Sequence, residues 1–175
     1  MPIKAVLFDL DGTLYDRDAL VKKVASDQYD TFRDALRSIS KDKFVTRVIE
    51  LDDRGYGDKP ALYAKVADEW NLAPGVADHL LVSFWSLYER ACELSDDTRL
   101  TLHTLREWGM KLGVITNGST EWQRRKLDSL GITSWFDTVL ISEAEGIRKP
   151  DREIFHRALA RCGGAVVATS ALRGC

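Results

Sequence analysis

Apolar positions along this chain follow two rhythms. Ala5, Val6, Leu7 and Phe8 form a continuous run; Leu112, Val114 and Ile115 form a second; Thr138-Val139-Leu140-Ile141 a third. Short runs without polar interruption suit strands buried on both faces of a parallel sheet. Helical spacing lies between and after them. Leu102, Leu105 and Trp108 predict the buried side of one helix, Trp122, Leu127 and Leu130 that of a second, and Ile154, Phe155, Ala158 and Leu159 that of a third. Gly109 and Gly131 stand where helices stop, and Ser119 or Thr120 where one can be capped. Glu143 to Arg148 reads as a polar loop, after which Lys149-Pro150 opens the last helix.

From Asp16 to about Leu94 the strand rhythm is absent. Val21, Ala25, Tyr29, Phe32 and Leu36 make one helical stripe, and Phe44, Val45, Val48 and Ile49 a second. Tyr63, Val66, Ala67 and Trp70 make a third; Val76, Leu80, Phe84, Leu87 and Ala91 a fourth. The break at 52–58 holds two glycines and precedes Pro60, which is tolerated in a first helical turn. Strands alternating with helices require parallel pairing through right-handed crossovers. The prediction is an α/β protein: a doubly wound, Rossmann-like core from residues 1–15 and 96–175, interrupted by four helices over 16–95.

With 45% hydrophobic and 30% charged residues, the 175-residue chain has an ordinary globular composition. Its 25 basic and 27 acidic residues leave a net charge of −2, which argues against nucleic acid or an anionic membrane as partner. No run approaches the roughly 20 apolar residues that span a bilayer, and the N-terminus opens into a strand rather than a signal segment, so a cytoplasmic location is expected. Cys92, Cys162 and Cys175 lack metal-type spacing and suit free thiols in a reducing compartment. His79, His103 and His156 are scattered and read as surface helix residues.

Candidate chemistry gathers at the strand ends, outside which doubly wound sheets bind ligands. The first strand delivers Asp9 and Asp11, which strand alternation would point the same way, followed by Gly12; the second delivers Thr116 and Asn117. Alone, an Asp-Gly pair is an ordinary turn, Thr116 an ordinary strand end and Lys149 a solvated helix start. Together, Asp9-Leu10-Asp11-Gly12-Thr13, Thr116-Asn117 and Lys149-Pro150 resemble the ordered motifs of the haloacid dehalogenase superfamily of hydrolases.

That resemblance implies Mg²⁺-dependent hydrolysis of a small phosphorylated metabolite. Asp9 would be the nucleophile, forming an aspartyl-phosphate, and Asp11 the general acid and base. Thr116 and Asn117 would hold phosphoryl oxygens, and Lys149 would neutralise charge on nucleophile and substrate. Asp9 and the Asp11 carbonyl would ligate the metal. The inserted helices resemble the helical cap of the family, with Arg54, Tyr56 and Lys59 as candidates for reading substrate; a solvated connection is the other reading of that loop.

The C-terminus departs from the pattern. No acid follows Glu153, where the family supplies further metal-binding carboxylates after a fourth strand, and Thr169 and Ser170 are poor substitutes. The expectation is an incomplete metal site, a truncated or frame-shifted core, and an open edge on the first strand that a homodimer could cover. Ala165 to Ala168 could still supply a short strand. Two other readings remain. One is 2-haloacid dehalogenation, against which Asp11 argues because a halide needs no proton. The other is a catalytically impaired binding or assembly protein of the same fold.

Overall fold

The computed structural model describes residues 3–163 and the backbone of 167–169. In chain order the elements are β1 (Ala5–Phe8), α1 (Arg17–Thr31), α2 (Lys41–Asp52), α3 (Lys59–Glu69), α4 (Val76–Ala91), α5 (Asp96–Glu107), β2 (Lys111–Thr116), α6 (Thr120–Ser129), β3 (Thr138–Ile141), α7 (Ser142–Glu145), α8 (Arg152–Arg161) and β4 (Val167–Thr169). They form two compact units, Met1–Asp16 with Cys92–Cys175, and Arg17–Ala91.

In the first unit all strand pairs are parallel, in the order β3-β2-β1-β4. Ala5 opposes Lys111 on one side and Val167 on the other. β1 is therefore interior, and the open edge expected from the sequence is filled by β4, which removes the motive for a dimer there. Ala5 and Leu7 meet Ile115 and Leu140 from the neighbouring strands and Ile154, Ala158 and Cys162 from the α8 region. Gly113 is required by this packing: a Cβ there would lie 2.5 Å from a Leu7 methyl and 3.0 Å from that of Thr138.

The helices of this unit are capped as their sequences suggest. Ser95 accepts from the Thr98 amide, Ser119 from Trp122 and Asp151 from Glu153, each cap contributing about 1 kcal/mol. Two expectations change. Trp108 follows α5 and is 69% exposed, whereas Leu102 is buried. The polar stretch after β3 begins as the one-turn helix α7, held to α8 by Glu145, whose carboxylate meets Arg161 at 2.6 and 3.0 Å.

The second unit is a bundle in which α1 packs on α2 and α4, and α3 on α2 and α4. Its core includes Val24, Phe44, Val48, Tyr63, Val66, Leu80 and Phe84. The first stripe does not stay helical to Leu36: α1 ends at Thr31 and turns bring Leu36 and Ile39 into the core. Buried Gln28 is satisfied, donating to the Leu80 carbonyl at 2.6 Å and accepting from the Tyr63 hydroxyl at 2.6 Å. The break between α2 and α3 is organised by Asp52, itself buried between two cations. Arg17 Nη2 lies 2.6 Å from its Oδ2 and Lys59 Nζ 2.8 Å from its Oδ1.

Candidate active site

At the carboxyl end of β1 the chain leaves the strand after Phe8 and turns, with the Leu14 amide donating to the Leu10 carbonyl. Strand alternation therefore does not reach Asp11, and the two acids find different partners. Asp9 Oδ1 accepts from the Leu10 amide at 2.7 Å and pairs with Lys149 Nζ at 2.6 Å. Asp11 Oδ1 meets Lys126 Nζ at 2.7 Å and accepts from the Tyr15 hydroxyl, while Oδ2 accepts from Gln123 Nε2 at 2.9 Å. Burial alone would push the Asp11 carboxyl up, but the Lys126 charge and the donors Gln123, Lys126 and Tyr15 outweigh it and hold it below the usual range.

Lys149 is set by its backbone. The Asn117 side chain accepts from the Lys149 amide at 2.9 Å and donates to the Lys149 carbonyl at 3.1 Å, pinning this loop to the end of β2. The Asn117 carbonyl accepts from Gln123 at 3.1 Å, and the same amide nitrogen reaches the Thr116 hydroxyl. Asp9, Lys149, Asn117, Gln123, Thr116 and Asp11 thus form one connected polar network. All five residues expected from the sequence, Asp9, Asp11, Thr116, Asn117 and Lys149, belong to it.

Gln123 and Lys126 were not expected. They lie on α6 at a spacing that shares a face with Leu127 and Leu130, and the readable signal was two polar side chains on an otherwise apolar stripe. Gln123 is 2% exposed, taking the inward position assigned to Trp122. Trp122 is half-buried beneath the Arg125 guanidinium, 4.8 Å from its ring centre. Of the candidates between α2 and α3, Lys59 is buried against Asp52 and also donates to the Gly57 carbonyl at 2.9 Å, so its ammonium is structural; Tyr56 is 71% exposed and Arg54 exposed.

Hard oxygen donors are present for a cation. The Asp9 side chain is 44% exposed, and among the described residues both its polar contacts fall on Oδ1. Its carboxylate and the Asp11 carbonyl could serve Mg²⁺, which keeps several waters and needs only one or two carboxylates. Among the described residues no three His, Cys, Asp or Glu side chains form a metal cluster. The Thr169 side chain and Ser170, weighed against the family's distal acids, lie outside the described residues, as does Cys175. Cys92 is free and buried, its thiol pushed up to about 12 by burial, partly offset by Lys126 and reinforced by Asp11, so it is no nucleophile at neutral pH.

A carboxylate–ammonium pair, a hydroxyl and a second carboxylate thus gather at the carboxyl end of a parallel sheet in a Rossmann-like α/β core. A family profile describing haloacid dehalogenase-like hydrolases matches residues 3–169. The chain is 32% identical over 167 residues to a glyceraldehyde 3-phosphate phosphatase of Methanocaldococcus jannaschii, covering 92% of this chain and 72% of that one. It is 33% identical over 170 residues to a ribulose-1,5-bisphosphate 5-phosphatase of Halopiger xanaduensis, covering 90% and 70%. The solved structure of a HAD phosphatase from Thermococcus onnurineus superposes with a TM-score of 0.58 at 30% identity, covering 98% and 79%. The chain belongs to the haloacid dehalogenase-like hydrolases, and within that family it is a phosphatase.

Proposed function

We propose that the protein hydrolyses a small phosphomonoester, of the sugar- or triose-phosphate class named for its relatives, through an aspartyl-phosphate on Asp9. The observation that carries this reading is the Lys149 ammonium 2.6 Å from Asp9 Oδ1. It places a positive charge against the nucleophile and offsets the repulsion between a carboxylate and an incoming phosphate. Asp9 Oδ2 attacks phosphorus in line while the ester oxygen leaves; a second displacement by water releases phosphate and restores the carboxylate. Asp11 donates the proton to the leaving oxygen and takes one from that water. Its ionised form, favoured by Lys126, suits the second step, and the first requires it to pick up a proton.

Thr116 and Asn117 orient phosphoryl oxygens. Mg²⁺, held by Asp9 and the Asp11 carbonyl, supplies further charge neutralisation when bound. The helical unit Arg17–Ala91 is the cap of this reading, with exposed Arg54 and Tyr56 as its candidates for substrate contact. A reducing cytoplasm fits the free, buried Cys92 and Cys162; no described helix is long and apolar enough to cross a membrane.

Phosphate release from triose, pentose and bisphosphorylated sugars, measured with and without Mg²⁺, tests the reading. Wild-type protein should release phosphate only with the ion, and Asp9→Asn should lose roughly 10³-fold or more. Hydrolysis that survives Asp9→Asn would overturn the covalent route, and chloride release from a 2-haloacid would replace the substrate class.

A further inference from the structure

We propose that Gln123 is a positioning residue that turns the Thr116 hydroxyl toward the phosphoryl group and holds Asp11 beside it. The proposal rests on the roles given above to Thr116 and Asp11, and goes beyond them by naming what orients both. Gln123 Nε2 faces three oxygens: Asp11 Oδ2 at 2.9 Å, the Asn117 carbonyl at 3.1 Å and the Thr116 hydroxyl in closer contact. A carboxylate and a carbonyl only accept, so the amide must present its nitrogen and not its oxygen to this cluster. An amide nitrogen accepts nothing, so the Thr116 hydroxyl is also an acceptor here. Its own proton must then be donated elsewhere. Thr116 is thereby set as a donor at the end of β2, where a phosphoryl oxygen is the acceptor the reaction supplies.

Access to the cluster is itself built in. Gly118 adopts φ +144°, and a Cβ at that position would lie 3.1 Å from both Cγ and Cδ of Gln123. The backbone after β2 therefore leaves room for this side chain to pass under it. Two amide protons for three acceptors means the contacts are shared. When Asp11 turns to the leaving oxygen, Thr116 and the Asn117 carbonyl retain the amide, and Lys126 and Tyr15 remain to receive Asp11 on its return.

A double-mutant cycle on the full chain in Mg²⁺ buffer separates this role from simple packing. Gln123→Met keeps the length and removes the donors; Gln123→Glu keeps the shape and turns the donor into an acceptor that competes for the Thr116 proton. Each should lower kcat/KM by about 10- to 100-fold, the loss expected for a hydrogen bond to a charged group. Each should also weaken inhibition by inorganic phosphate by about tenfold. In a Thr116→Val background, Gln123→Met should change phosphate inhibition by no more than about twofold. Equal penalties in both backgrounds, or either Gln123 variant within about twofold of wild type, would overturn the proposal. Should wild type show no Asp9-dependent hydrolysis, the functional reading alone fails. Calorimetric titration of wild type and the neutral variant Gln123→Met with inorganic phosphate, each also in the Thr116→Val background, still decides the role of Gln123: binding weakened by Gln123→Met only where Thr116 is present upholds it, equal binding overturns it.

Discussion

Asp52 carries the charge balance of the helical unit. It is 2% exposed with Arg17 and Lys59 against its two oxygens, and its Oδ2 also accepts from the Gly55 amide at 3.1 Å. Burial raises its pKa, but Lys59 and Arg17 outweigh this and hold it below the ordinary value. The folded pKa is thus the lower one, so the stability contributed is complete above the unfolded value of about 3.9 and is lost as pH falls through and below it. Asp52→Asn should lower unfolding free energy by about 3–5 kcal/mol at pH 7, since the carboxylate shared by buried Arg17 and Lys59 is removed. Its midpoint should also fall less steeply than wild type between pH 5 and pH 3, approximate bounds set by that carboxylate range. Parallel melts across that range check both.

At this scale the sequence was legible where chemistry follows a strand end. Asp9 and Thr116 stood out at the ends of apolar runs, whereas Lys149 entered the expected set only because the three motifs together resemble those of the haloacid dehalogenase superfamily. Gln123 did not, because a glutamine on a helix is ordinarily solvated and only the fold reveals it as buried. Lys59 was misjudged for the converse reason: a lysine next to a glycine-rich break looks available, and nothing local shows that Asp52 takes it inward.

Among the elements, β4 has the least sequence signal and a large structural effect. Three residues pair Ala5, Val6 and Leu7 of β1 with Val167, Ala168 and Thr169. A chain ending at Gly163 should lose about 2–3 kcal/mol from the missing ladder and associate through the uncovered edge of β1. Thermal melts and sedimentation across a concentration series check this; a stable monomer would contradict it. The open edge was expected only if nothing replaced the family's fourth strand, and the short strand allowed over Ala165 to Ala168 is realised as Val167–Thr169, since pairing with an already ordered strand needs little intrinsic propensity. The one-turn helix α7 was illegible for a related reason: Glu145 is fixed by Arg157 and Arg161 from α8, contacts that no local periodicity encodes.

On the scale of the whole molecule, the switch from strand–helix alternation to uninterrupted helical stripes was plain in the sequence, and the structure shows both architectures. Arg17–Ala91 is continuous in sequence and contains its own apolar core, its Gln28–Tyr63–Leu80 hydrogen bonds and its Asp52 ion pairs. Expressed alone, residues 17–91 should give a helical circular dichroism spectrum and a cooperative melt. A spectrum without helix would show that the bundle depends on the rest of the chain.

The first unit has the opposite character. Ala5 opposes Lys111, and Gly113 opposes Thr138. During synthesis at about 5–20 residues per second, the segment bearing Asp9 emerges several seconds before the first strand able to shelter it. Closing a loop of that length makes the pairing slow as well as late. A nascent chain must therefore carry an apolar Ala-Val-Leu-Phe segment unprotected while its helical insertion is being made. Asp11 gains Gln123, and Asp9 gains Lys149, only after residues 123 and 149 have been translated.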